Sequence, residues 1–208
     1  MSIVLHHHPW SRAANVVWML EEVGVPYELR WVDIMAGKQK SPDVMSINPM
    51  GKLPTLVDGD TVVTESAAIG LYLADRYAYG KLSPKVEDPS RGTYFRWSFF
   101  APSVIEPATM AKLGKWEAKE SQVGWGTYDA MIQSLHSAIE GKDFVLGKEF
   151  SMADIIFGGT VRYMLLVKSI EPTPVLSGYM ERLSARPGCK RADEKNAALV
   201  KEHGLDKK

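Results

Sequence analysis

Apolar and polar positions change their period several times along the chain. Ile3-Val4-Leu5 is a short apolar run, which predicts a buried strand over Ser2 to Leu5. From residue 12 to residue 23 the apolar positions Ala14, Val17, Trp18, Leu20 and Val23 recur at helical spacing, and Gly24 ends the pattern. Tyr27 to Val32 reads as a second strand, so a strand, a helix and a strand follow in order and predict parallel pairing through a right-handed crossover. Residues 33–46 are polar, a loop with a short helix around Pro42 to Met45. Thr55-Leu56-Val57 and Thr61-Val62-Val63 then flank Asp58-Gly59, a turn pair that supplies positive φ, and predict a hairpin. A helix opens after Thr64, a good N-cap residue, with apolar positions at Ala67, Ala68, Leu71, Tyr72 and Ala74. The hairpin makes the sheet mixed rather than purely parallel.

Beyond Tyr77 the strand signals stop. Gly80, Pro84 and Pro89 punctuate a polar stretch, residues 78–89, which reads as a linker. Residues 90–119 predict a long aromatic-rich helix, with Tyr94, Phe95, Trp97, Phe99 and Phe100, interrupted by Pro102 and Pro107. A second helix is expected over Ser121 to Glu140, closed by Gly141. Ser151-Met152-Ala153-Asp154 is a helix-start signature: Ser151 as N-cap, Asp154 bonding back to it, and Phe150 and Ile155 placed as a hydrophobic staple. The helix it opens is largely apolar through Leu165 and reads as the buried centre of this half. Further helices are expected over Pro174 to Ala185 and Cys189 to Asn196, with a polar tail, Lys201 to Lys208, that frays.

Composition narrows the function classes. The 208 residues suffice for one large domain or two small ones, and 45% hydrophobic with 24% charged residues is ordinary for a soluble protein. Lys and Arg, 25 together, balance 25 Asp and Glu, so no bulk charge favours nucleic acid or an anionic membrane, and neither is an expected partner. No apolar run approaches the roughly 20 residues of a membrane span. The start shows no basic segment followed by a long apolar core, so no secretory signal is read there. The single cysteine, Cys189, rules out an intramolecular disulfide and a Cys-x-x-Cys pair. A cytoplasmic location is the expectation. His6, His7 and His8 are adjacent, and neighbours on an extended chain point in opposite directions, so one metal ion is a poor fit. They are expected to form a solvated or hydrogen-bonded loop, and no metal is expected.

Three features suit an anion: the helix start at Ser11, the helix start at Ser66, and the side chains Gln39, Lys40 and Lys52. The run Asn48-Pro49-Met50-Gly51-Lys52-Leu53-Pro54, the hairpin, and Thr64-Glu65-Ser66 closely resemble the glutathione-binding half of a cytosolic-type (soluble), bacterial-like glutathione transferase. The Ser151 to Asp154 motif resembles that family's helical domain. The resemblance implies a thioredoxin-like α/β N-terminal domain with a mixed sheet, residues 1–79, and an all-α C-terminal domain, residues 88–200, contributing the electrophile pocket. It implies a cis-proline at Pro54 and a Glu65-Ser66 pair gripping the γ-glutamyl group. It also implies glutathione as co-substrate, a small hydrophobic electrophile as second substrate, and a homodimer. Leu53, extended before a proline, could exchange main-chain hydrogen bonds with the cysteinyl unit.

Thiol–disulfide enzymes on this fold carry cysteine at the start of the first helix. Here that segment is His8-Pro9-Trp10-Ser11-Arg12, so the ligand must supply the thiol. No tyrosine stands near the end of the first strand, which implies a serine-type enzyme with Ser11 as hydrogen-bond donor to the thiolate. His7, His8 and Arg12 are the alternatives, and Ser11 could equally be only a helix cap. A glutathione-dependent peroxidase or isomerase shares the same thiolate. A non-catalytic binding module on this fold need not keep Lys52, Pro54, Glu65 and Ser66 together.

Overall fold

In the computed structural model, which describes residues 3–207, the first strand, β1, spans Ile3–His7. The expected start at Ser2 lies outside the described residues. β1 pairs in parallel with β2 (Tyr27–Trp31), from Ile3 opposite Tyr27 to His7 opposite Trp31. On its other edge it pairs antiparallel with β3 (Thr55–Asp58), and β3 pairs with β4 (Thr61–Thr64) through the Asp58-Gly59 hairpin. The order β2-β1-β3-β4 is the mixed sheet expected.

An interior strand has neighbours on both edges and is covered on both faces. That corrects the reading of the histidines. His6 and His7 belong to β1, His8 follows directly, and all three are buried rather than solvated. The connecting helices are α1 (Ala13–Val23), α2 (Pro42–Ile47) and α3 (Ser66–Tyr77), with a single 3-10 turn at Lys38–Lys40. α1 buries Val16 to Leu20 as a continuous block, and Gly24 ends it in the left-handed conformation at φ 77°. Tyr72, Tyr77 and Arg76 of α3 all converge on Asp58 Oδ2, which ties the hairpin turn to the helix that follows it.

The second unit is helical. α4 (Ser90–Phe100) and α5 (Glu106–Gly114) are joined by a π-helical turn, Ala101–Ile105, so the long helix is interrupted at its prolines. The next helix, α6, is Tyr128–Ile139, starting seven residues later than the pattern suggested. Gly126 sits at φ 66° and Thr127 caps the helix by accepting from the Ala130 amide at 3.1 Å, so the turn chemistry overrode the apolar spacing before it. α7 (Met152–Leu166) and α8 (Pro174–Ser184) follow. The stretch read as a linker is not a free tether: Ala78, Leu82 and Ser83 are buried, and the Leu82 carbonyl accepts from the Met152 amide at 2.8 Å.

The last helix, α9 (Pro187–Glu202), is longer than the expected 189–196, and the residues after it do not fray: Leu205 is buried within a 3-10 turn, while Lys208 lies outside the described residues. Chain contacts divide the protein into Met1–Tyr77 with Arg186–Lys208, and Ala78–Ala185. α9 therefore packs with the sheet unit, on α1, and not with the helices that precede it in sequence. Arg186 makes a two-pronged pair with Glu22 at 2.8 Å on each side, and Arg191 and Lys195 meet Glu21 at 2.7 and 2.6 Å. Burial would raise the Glu21 pKa, but hydrogen bonds from Lys195, Tyr27 and Arg191 carry it down to about 2.

α7 begins on the predicted capping box. Asp154 is fully buried and accepts four hydrogen bonds: from the Ser151 and Val145 amides, the Ser151 hydroxyl and Tyr179 Oη. Removing the carboxylate leaves several buried donors without an acceptor, each costing about 1–3 kcal/mol. Asp154→Ala is expected to lower stability on the order of 3 kcal/mol, read as a lower midpoint of urea unfolding by circular dichroism. An unchanged midpoint would show that water replaces the carboxylate at no cost.

Candidate functional site

Strand register gathers the predicted residues of the first unit at one end of the sheet. Arg30, His6, Thr55 and Thr64 lie opposite one another in a row across the four strands. Neighbouring strands are about 4.8 Å apart. The β1–α1 turn leaves the sheet just after this row. Leu53-Pro54 enters β3 just before it, and Glu65-Ser66 follows the end of β4. Residues separated by more than fifty positions in sequence thus share one edge.

The loop entering β3 is fixed from within. Leu53-Pro54 is a cis peptide, as the resemblance implied, and Pro54 is buried. Asn48, itself buried, donates from Nδ2 to the Lys52 carbonyl at 2.9 Å and to Thr55 Oγ1 at 3.1 Å. Its Oδ1 and main-chain carbonyl accept from the Met50 and Gly51 amides. One asparagine therefore shapes the whole turn that presents Leu53, a role not read from the sequence, where Asn48 was only part of the motif. Gly51, at φ 56°, allows close packing: a Cβ there would meet Lys40 Cδ at 2.7 Å and Met45 Sδ at 2.8 Å. Lys40 Nζ donates to the Met50 carbonyl at 2.8 Å, so Lys40 braces this loop. Gln39 Oε1 is buried and unpartnered, while Lys52 is exposed beside the cis peptide.

Ser66 is the first residue of α3, where main-chain amides lack partners within the helix. Thr64, the expected cap, instead ends β4. Glu65 takes the junction with φ at 66°, and its carbonyl accepts from the Ile69 amide. A left-handed conformation for a residue with a side chain costs about 1–2 kcal/mol and persists only where the surroundings impose it. It leaves Glu65 exposed at the helix entrance, with Ser66 half-buried beside it.

At the third corner, Ser11 is half-buried in the turn before α1. Its hydroxyl donates to the His8 carbonyl at 2.8 Å and accepts from the Ala13 amide at 3.2 Å. The His8 carbonyl also receives the Ser11 amide at 3.0 Å, so it stays bonded if the hydroxyl turns away. Arg12 is exposed on the same turn. His7 and His8 differ from what a thiolate donor would need. His7 Nε2 lies 2.8 Å from Asn196 Oδ1 of α9, which makes it the donor and uses the single N–H of the neutral ring. His8 Nδ1 accepts from the Trp10 amide at 3.1 Å, and the ring is buried. Among the described residues, no group of three His, Cys, Asp or Glu side chains is arranged to hold a metal ion, and no helix is long and apolar enough to cross a membrane.

A mixed four-stranded sheet with a cis-proline loop and two helix starts at one edge, joined in sequence to a helical unit, is the architecture of the glutathione transferases. Residues 9–76 match the family described as glutathione S-transferase, N-terminal domain. Glutathione S-transferase 3 of Schizosaccharomyces pombe is 28% identical over 93% of this chain and 87% of its own length. Human glutathione S-transferase theta-2 is 54% identical over 32% of this chain and 28% of its own. The crystal structure of a glutathione transferase homologue from Sulfitobacter, with bound glutathione, is 26% identical, covers 93% of this chain and 98% of its own, and superposes with a TM-score of 0.75. Residues 9–76 thus resemble the N-terminal domain of that family, and over most of its length the chain is similar to glutathione S-transferases.

Burial lowers the His7 pKa to about 4, against the hydrogen bond to Asn196, which raises it. The folded value lies below the unfolded one of about 6.5. As pH falls between the two, the unfolded chain takes up a proton that the folded chain refuses, and stability is lost across that window. The loss approaches roughly 3 kcal/mol near pH 4. His6 and His8 are shifted in the same direction, burial again being the main cause. His7→Gln is expected to flatten the fall of the thermal midpoint between pH 7 and pH 4; an unaltered slope would assign that fall to other groups.

Proposed function

We propose that the protein is a glutathione transferase that binds glutathione at this sheet edge and ionises its thiol for attack on a small hydrophobic electrophile. The observation that carries the reading is the meeting of the cis Leu53-Pro54 loop, the Glu65-Ser66 helix entrance and the Ser11 turn at one end of the sheet. Leu53 offers main-chain groups to the cysteinyl unit. Glu65 suits the ammonium of the γ-glutamyl group, and Ser66 with the first amides of α3 suits its carboxylate. Lys52 and Gln39 are assigned to the polar parts of the tripeptide, with Lys40 holding their loop in shape.

Ser11 is the proposed donor to the thiolate. Its hydroxyl would exchange a bond to a neutral carbonyl, worth about 1 kcal/mol, for a charge-assisted one worth about 1.5–3 kcal/mol. The start of α1 adds about 0.3–1 kcal/mol. The sum is about 1–3 kcal/mol, or a thiol pKa lowered by roughly one to two units. The Ala13 amide can go on donating to Ser11 Oγ and polarise the hydroxyl further. Arg12, exposed on the same turn, would assist only through its charge. The reaction is displacement or addition at carbon: the thiol proton has already left to solvent and the sulfur lone pair forms the C–S bond, while in displacement the leaving group departs with its bonding pair and in addition the π pair moves to the neighbouring atom, which takes a proton from solvent. The serine-type assignment, a homodimer and a cytoplasmic setting rest on the resemblance and the composition.

Retention on immobilised glutathione and conjugation of a general aromatic electrophile test the activity; failure of both would refute it. Ser11→Ala is expected to raise the pH at which kcat/KM reaches its plateau by about one to two units, with glutathione affinity little changed. An unmoved profile would remove Ser11 from the chemistry. Ser66→Ala is expected to weaken glutathione binding about 10- to 150-fold, the loss of one hydrogen bond to a charged group, measured by titration calorimetry. Unchanged affinity would refute the γ-glutamyl seat.

A further inference from the structure

The Ser11 turn is held from behind by rings that reach the end of the chain. Three hydrogen bonds of the turn end on one residue: the Ser11 hydroxyl and amide on the His8 carbonyl, and the Trp10 amide on His8 Nδ1. The Ser11 and Trp10 amides keep their bonds to His8 when the hydroxyl turns to a thiolate, so the placing of His8 sets where Ser11 Oγ lies. Only a ring unprotonated at Nδ1 can accept from Trp10, and burial lowers the His8 pKa against the pull of Asp33. The imidazole packs on Trp31, ring centroids 4.6 Å apart, with Trp10 edge-on at 6.2 Å. Trp31 is stacked in turn with His203, at 3.5 Å and 6° between planes. His203 is exposed and makes no part of the proposed glutathione seat, yet its placement is tightly set. It caps α9 through a bond from its amide to the Leu199 carbonyl, and Leu205 beyond it is buried.

We infer that His203 and Trp31 are positioning residues for the thiolate donor, the C-terminal tail orienting Ser11 through stacked rings and His8. The inference rests on the reading of Ser11 given above. Its consequence is specific. Loss of the stack frees the His8 ring, spreads the Ser11 hydroxyl over more orientations and weakens its bond to the thiolate. The seat at Glu65 and Ser66 is untouched, so glutathione affinity stays. An aromatic contact of this kind biases a conformational equilibrium roughly twofold to tenfold.

The test compares wild type with His203→Ala, His203→Phe and Ser11→Ala. The readouts are the pH dependence of kcat/KM, the thiolate absorbance of bound glutathione, and the KM for glutathione. His203→Ala is expected to raise the apparent thiol pKa and to lower kcat severalfold near neutral pH, with KM for glutathione within about twofold of wild type. His203→Phe keeps a flat ring and is expected to restore the wild-type profile. If Ser11→Ala shifts the profile and His203→Ala does not, the positioning role is overturned while Ser11 stands. The same holds if His203→Ala lowers only the thermal midpoint, or if His203→Phe behaves like alanine. If Ser11→Ala leaves the profile unmoved, the reading of Ser11 fails and this inference falls with it.

Discussion

β1 is hydrogen-bonded along both edges, and where it ends decides where the site is. Its parallel partner fixes Trp31 beside His7, and its antiparallel partner fixes Thr55 beside His6. A shift of one residue would turn every β1 side chain to the other face, so this register is strongly held. It holds the histidines as well. Three imidazoles are accommodated in and just beyond an interior strand, where burial lowers the pKa of each; His7 bonds to Asn196 and His8 packs on Trp31. The site at this sheet end thus stands on a strand that loses stability as the solution is acidified.

On the proposed reading the site is divided between holding and activating. Asn48, Gly51 and Lys40 form the loop that presents Leu53, and the left-handed Glu65 aims the start of α3; on the proposed reading these elements would bind and orient the tripeptide. Ser11 belongs to a different element, with its own support from His8, Trp31 and the tail after α9. On that reading, separate supports would let affinity for the tripeptide and the acidity of its thiol change independently. In the helical unit, buried Asp154 has the comparable structural part: a single carboxylate that joins the start of α7, the Val145 amide and Tyr179 of α8.

Local chemistry was legible wherever one short segment decides its own conformation. Asp58-Gly59 specifies its turn, Pro102 and Pro107 interrupt a helix, and Ser151 with Asp154 starts one; each appears where the pattern placed it. Gly51-Lys52-Leu53-Pro54 and Glu65-Ser66 specified a tight loop and a helix start for the same reason. One error fell where partners distant in the chain decide, and one where a local signal was overlooked. Nothing near residues 6–8 says that two further strands flank them, so their burial was missed. The helix expected from Ser121 yielded to Gly126 and the Thr127 cap, a local signal that the apolar spacing hid.

By itself the sequence determined the mixed sheet, the order of its elements, and the residues that could hold a tripeptide, because turns, caps and hydrophobic period act over a few residues. Tertiary structure decided what those residues do for one another. It carried α9 back to α1 through the pairs of Glu21 and Glu22 with Arg186, Arg191 and Lys195. It gave the ring N–H of His7 to Asn196, and set His203 against Trp31 behind Ser11. Such contacts join positions nearly two hundred residues apart, and no local propensity can express them.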